Sequence, residues 1–425
     1  VNLDRLFADA MRAWHIPSAA VVVVRDGEIV FCNAYNCTVD SNFQLASATK
    51  TFTTTALAIL VAEGRLGWND PVRKHLDFFH LHDPFADEHV TLRDLLAHRT
   101  GLKRNDELGT KSTFTNDDLI RRLGKIPLAM LFRSGYQYQH ITYIAAGEIV
   151  ARVSGMSWAD FIRTRILEPL GMTRTTCGTD TPVCGHRFDG TRAIEQRIGD
   201  DRIDPAASIR SNARELANFL RFHLDDPRFA ETKTAQTPIR REGLWADANP
   251  HTTTIAAAMG WTVQDYRGAQ LAWHAGSMNG FRVHLDLVPE LRAGFAILTN
   301  IGRTLAVFAL RNALLDFLLD EPFVDWNPHY LAIDESLRRA RIRATPPPSE
   351  PTREIEGEYE HDAYGSASVH DQTLRWGRLV LPLTHFAHDT WRARDENEEV
   401  DELVTFGDGA MRFYEREFEK RRTTS

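Results

Sequence analysis

Leu45-Ala46-Ser47-Ala48-Thr49-Lys50-Thr51-Phe52 opens a run whose apolar residues recur at helical spacing through Glu63 and stop at Gly64, a residue suited to ending a helix. Residues three apart on a helix share a face, so the Lys50 ammonium can reach the Ser47 hydroxyl. A serine is a weak nucleophile until a base takes its proton. A lysine desolvated beside it can be that base, or can lower the pKa of another. The start of a helix adds free backbone N–H groups and a positive dipole end, useful where negative charge develops on a substrate oxygen. Four residues of this kind arise easily by chance. Ser47 is, however, the only serine in the chain with lysine three positions later.

Upstream, Ala19 to Val24 and Ile29 to Phe31 flank Asp26-Gly27 and read as a hairpin, because glycine accepts the positive φ of a tight turn. Far downstream, Leu271 to His274, Phe281 to Val288 and Ala293 to Thr299 also read as strands. Between the two groups the pattern is mostly helical: Leu92 to Ala97, Tyr143 to Val153, Trp158 to Ile166 and Ala213 to His223. Leu305 to Leu319 forms a further helix. Strands at both ends with helices between them predict an α+β fold: an antiparallel sheet flanked by helices, with a helical lobe inserted over roughly 65–255. This catalytic domain is expected over 1–344. The Pro-rich stretch 345–352 reads as a linker, and 353–425, with short aromatic and β-branched runs, as a small all-β domain.

Two further stretches can join Ser47. In Gly135-Tyr-Gln-Tyr138-Gln-His140, Tyr138 is a candidate base if a cation such as Lys50 lowers its pKa from the usual ~10. In Trp273-His274-Ala-Gly276-Ser277-Met-Asn-Gly280, Gly276 lets backbone come close to a substrate, and the Ser277 N–H is placed to share an oxyanion hole with that of Ser47. His274 is a candidate donor to a substrate carboxylate or carbonyl. Taken singly, a tyrosine tethering a loop and a satisfied strand histidine are the plainer readings.

These three elements, in this order, resemble the active site of the class C β-lactamase and penicillin-binding-protein-like serine hydrolases, which carry Ser-x-x-Lys, Tyr-x-Asn and Lys-Thr-Gly or His-x-Gly. Glu63-Gly-Arg-Leu66, Thr91 to Leu102, Leu167 to Met172, Gly260-Trp261 and Leu298-Thr-Asn300 resemble other stretches of the family, so the likeness runs to about residue 320. The last segment resembles the small β-domain appended to some members. The likeness implies an acyl-enzyme on Ser47, with Lys50 and Tyr138 as its proton-handling groups. It implies His140, His274, Gly276 and Ser277 as substrate-binding or oxyanion residues. His140 replaces the family's asparagine, which holds the amide of the acyl side chain. His274 replaces a permanent cation. Both changes tilt the expectation from β-lactams toward carboxylic esters or small amides.

Hydrophobic residues make up 43% of the 425 residues and charged residues 25%, the balance of a globular protein. A net charge of −8 gives no electrostatic reason to expect nucleic acid or an anionic membrane as partner. No apolar run approaches the ~20 residues of a membrane helix. The chain opens on an amphipathic pattern without a signal segment, which makes cytoplasmic the default; it begins at Val1, so an earlier segment is left open. Four cysteines, Cys32, Cys37, Cys177 and Cys184, are expected as thiols. His75, His80, His82 and His89 crowd one segment, and Cys177, Cys184 and His186 another, but neither spacing makes a metal set, so no metal and no cofactor is expected. His98 and Arg99 are expected to be structural. The expectation is a serine hydrolase of small ester or amide substrates. An acyltransferase, a D-amino-acid peptidase or amidase and a non-catalytic peptide binder are the alternatives. The β-domain, lacking a catalytic cluster, is expected to cap the site or to mediate homo-oligomer formation.

Overall fold

The computed structural model describes residues 2–178, 183–196, 204–341, 346, 349–395 and 400–421. Helix α1 (Leu3–Ala13) starts where the Asn2 side chain accepts from the Arg5 N–H, and it buries Leu3, Leu6, Phe7 and Ala10. Strands β1 (Ala19–Arg25) and β2 (Glu28–Tyr35) follow as a hairpin. Asp26 (φ 51°) and Gly27 (φ 79°) both turn left-handed, the geometry whose twist matches antiparallel strands. A 3₁₀ turn, Ala46–Ala48, then leads into α2 (Thr49–Ala62). The lobe that comes next includes α3 (Asp106–Lys111), α4 (Ile141–Ser154) and α5 (Ala213–Asp225). The chain returns to the sheet through β3 (Thr237–Pro238), β4 (Ile255–Ala257), β5 (Thr262–Tyr266), β6 (Ala269–Met278), β7 (Phe281–Val288) and β8 (Ala293–Thr299). Helix α6 (Ala306–Leu318) completes this part.

The sheet is antiparallel throughout, in the order β2-β1-β8-β7-β6-β5-β4-β3. The N-terminal hairpin thus joins the C-terminal strands: Ala19 faces Thr299 and Arg25 faces Ala293. Successive side chains of a strand point to opposite faces, and β1 feeds two cores. Ala20, Val22 and Val24 pack toward α2 and the lobe, whereas Ala19, Val21 and Val23 pack toward α1 and α6. Burial on both faces is why β1 reads as an unbroken apolar run. Sequence reading left out β3, β4 and β5. They are short, and Thr-Val-Gln-Asp-Tyr alternates only weakly, so their strand state comes from neighbours in the sheet.

Beyond helix Asn327–Arg341 lies a closed eight-stranded antiparallel barrel running from Gly357–His361 to Arg416–Lys420. It closes where Tyr359 pairs with Lys420. Tyr359, Val369, Leu374, Trp376, Leu381, Phe406, Met411, Phe413 and Phe418 are buried among its strands. No described helix is long and apolar enough to cross a membrane, and the four cysteines are free thiols.

Candidate active site

Ser47 sits in the 3₁₀ turn, so its hydroxyl leaves the chain just before α2 begins. Strand β6 crosses this turn closely. A Cβ on Gly276 would lie 1.9 Å from the Leu45 carbonyl oxygen, so no other residue fits there. Glycine here permits a close approach between two stretches of this chain, and Gly276 also lines the cavity beside Ser47. Gly260 plays a similar part behind α2. It stands at φ 77°, with space for a Cβ blocked by Thr54 Oγ1 at 2.3 Å.

Ser47, Tyr138, His140, His274, Gly276 and Ser277 line one cavity of about 780 Å³. The sequence candidates from three distant segments thus meet. Lys50 lies behind the wall, fully buried, with Nζ donating to the Ala206 carbonyl at 3.0 Å. Its ammonium stands 4.9 Å from the centre of the Tyr138 ring and 5.4 Å from that of Tyr143. Burial lowers the Lys50 pKa to about 7; the Asp106 carboxylate pulls it up and the Arg104 guanidinium pushes it down. Burial drives the Tyr138 phenol well above the usual value, with Ser47 beside it acting in the opposite direction. A base role for Tyr138 needs that pKa lowered, and burial acts the other way; of the two, the lysine titrates nearer neutrality.

The histidines carry no charge here. Burial, and then Lys50, hold the pKa of His98 and His140 well below the usual value, and that of His274 at about 3. His274 Nδ1 lies 2.7 Å from the Ala275 carbonyl oxygen. A carbonyl only accepts, so Nδ1 bears the proton and Nε2 is left as a lone pair. His274 was expected as a donor to substrate; its neutral tautomer makes it an acceptor. His98 is the mirror case, with Nδ1 accepting from the Gln139 N–H at 3.1 Å and Nε2 protonated. His140 Nε2 is 3.4 Å from Asp106 Oδ2, and Nδ1 is buried without a partner.

Several cavity residues escaped the sequence reading: His98 (expected only as structural), Arg104, Asp106, Tyr136, Trp261, Trp273 and Arg282. Asp106 Oδ2 accepts from Arg104 Nε at 2.5 Å, and burial raises its pKa. Nothing local marks Arg104 or Asp106, since a charged loop reads as solvated surface. Arg99 pairs with Asp94 and is absent from the wall. Elsewhere, His75, His80 and His89 are engaged by Asp70, Asp87 and the Phe85 carbonyl. No group of three or more His, Cys, Asp or Glu among the described residues is placed to hold a metal ion. No described barrel residue lines the cavity.

Residues 3–319 match the family model described as Beta-lactamase. The chain belongs to the beta-lactamase family. This beta-lactamase-family chain is thereby a serine hydrolase by family. It is 26% identical to an unguisins hydrolase of Aspergillus campestris (strain IBT 28561), over 86% of this chain and 78% of that one. It is 23% identical to protein flp of Staphylococcus aureus (strain N315), over 71% and 63%. Among solved structures, the octameric penicillin-binding protein homologue from Pyrococcus abyssi superposes with TM-score 0.67 at 20% identity, covering 99% of this chain and 98% of that one. A class C beta lactamase from Rhodobacter sphaeroides gives 0.60 at 22%, over 75% and 99%. The former likeness takes in nearly the whole chain, barrel included, and the latter three quarters of it.

Proposed function

We propose that the protein hydrolyses carboxylic esters or small amides through an acyl group on Ser47. The observation that carries this reading is that Ser47 and Tyr138 line one cavity, with a buried Lys50 standing 4.9 Å from the Tyr138 ring centre and its pKa near 7. Neutral Lys50 is the ultimate base, and Tyr138 relays the Ser47 proton toward it. Ser47 Oγ bonds to the substrate carbonyl carbon, and the N–H groups of Ser47 and Ser277 steady the oxyanion. As the bond to the leaving group breaks, the proton returns to that group. Water then attacks the acyl ester and restores the serine, releasing an acid. His274 Nε2 accepts from a substrate N–H or O–H. The relatives named for hydrolysis of unguisins support hydrolysis as the outcome.

A serine-directed phosphonate should add to Ser47, as read by peptide mass spectrometry, and turnover of an activated ester should fall at least ~10³-fold in Ser47→Ala. An unlabelled Ser47, or an active Ser47→Ala, ends the proposal. A panel of matched ester and amide substrates then decides between the two classes.

A further inference from the structure

Helix α3 lies between the cavity and the barrel, and it cannot fix its own position. It has six residues, too short to be stable alone, and Asn105 at its start makes no side-chain cap bond. Yet Arg104, Asp106 and Thr110 of this stretch line the cavity. The lobe anchors it through buried Leu108 and the Gln139 bond to the Leu102 carbonyl, and the barrel adds a second set of contacts. Arg416 Nε donates to the Tyr364 hydroxyl at 2.8 Å, and Arg416 Nη2 donates to the backbone carbonyl of Arg104 at 3.1 Å. The Tyr364 hydroxyl donates to Glu107 Oε1 at 3.1 Å, and Lys103 pairs with Glu415.

The other end of α3 is held as firmly. The Arg378 N–H donates to the Lys111 carbonyl at 2.8 Å. Gly377 comes so near that a Cβ would stand 2.3 Å from that oxygen, and one on Gly365 would meet Phe114 at 2.9 Å. The Arg416 and Glu107 side chains are only 11% and 16% exposed, so solvent does little to loosen this network. Asp106, carried between the two grips, stands beside His140 and contributes to the field at Lys50.

We infer that the barrel is a positioning clamp for the cavity wall, with Arg416 the positioning residue that holds the Arg104–Asp106 turn in its productive place. The kinetic consequence rests on the acyl-Ser47 reading; the mechanical one does not. A barrel that only adds stability would leave the wall where it is when one link is cut. Arg416→Met in the full chain should speed amide hydrogen exchange over 104–114 about tenfold. It should lower kcat/KM for an activated ester by a similar factor, mostly in kcat, and move the pH midpoint of kcat/KM. Arg416→Lys should recover part of both, and Arg421→Met, at an exposed barrel ion pair with Glu360, should change neither. If Arg416→Met does not fold, Tyr364→Phe cuts the same network without removing a charge. Unchanged exchange over 104–114 overturns the clamp, as does faster exchange with unaltered kcat/KM and pH midpoint. Failure of the parent protein to label at Ser47 ends the hydrolase reading alone, and the exchange measurement then decides the clamp.

Discussion

At Lys50, burial and neighbouring charges act against one another. Burial brings the amine to about 7, Asp106 favours its protonated form and Arg104 its neutral form. If neutral Lys50 is the base, kcat/KM rises with pH through about 7 and then levels. Removing the Asp106 charge removes the influence that raises this pKa, so Asp106→Asn should shift the midpoint to lower pH. Arg104→Met removes an influence that lowers it and should shift the midpoint upward. Profiles of kcat/KM from pH 5 to 9 check both signs, and a common direction for the two variants would contradict the assignment. The histidines should leave no mark in this range, being neutral already. Ser47 and Lys50 were legible as candidates because their spacing is local, three residues apart across the start of α2. Asp106 and Arg104 were not, because their roles depend on which wall the fold sets them against.

Among the elements, the contact of β6 with the turn before α2 joins the candidate nucleophile, Ser47, to the sheet. Gly276→Ala would put a methyl 1.9 Å from the Leu45 carbonyl oxygen, and both are backbone-bound. The strand or the turn must shift. The expected cost is about 1–3 kcal/mol of stability, by analogy with overpacked cores. Urea unfolding measures it, and activity should drop because the displaced turn carries Ser47. Strands β1 and β8 were readable from their nearly unbroken apolar runs, and β7 from Phe281, Val283, Leu285 and Leu287 alternating with polar residues. Strands β3 to β5 were not, for their pairing is supplied by β6 and by one another. In the barrel, the strands Gly365–His370, Leu379–Ala387 and Arg416–Lys420 also escaped notice, the first rich in small residues, the second broken by Pro382 and the third mostly charged. Closure of the ring gives each a neighbour on both sides.

For the whole molecule, the barrel's glycines separate docking from local strain. Gly377 and Gly409 both have positive φ, but only Gly377 faces a neighbour, the Lys111 carbonyl, while Gly409 faces open space. Alanine at either position carries the same backbone penalty. Gly377→Ala should therefore lose about 1–2 kcal/mol more than Gly409→Ala. It alone should depress ester turnover, as paired unfolding and kinetic measurements would show. The amino-acid sequence by itself determined the α+β plan and the all-β tail and marked Ser47's segment as the candidate, since those follow from periodicity and local spacing. Only the tertiary structure decided the rest: which proton His274 keeps, why Gly276 must be glycine, and that a distant barrel grips the wall of the site. Each of these depends on atoms brought together from segments far apart in the chain, and no local pattern encodes their distance.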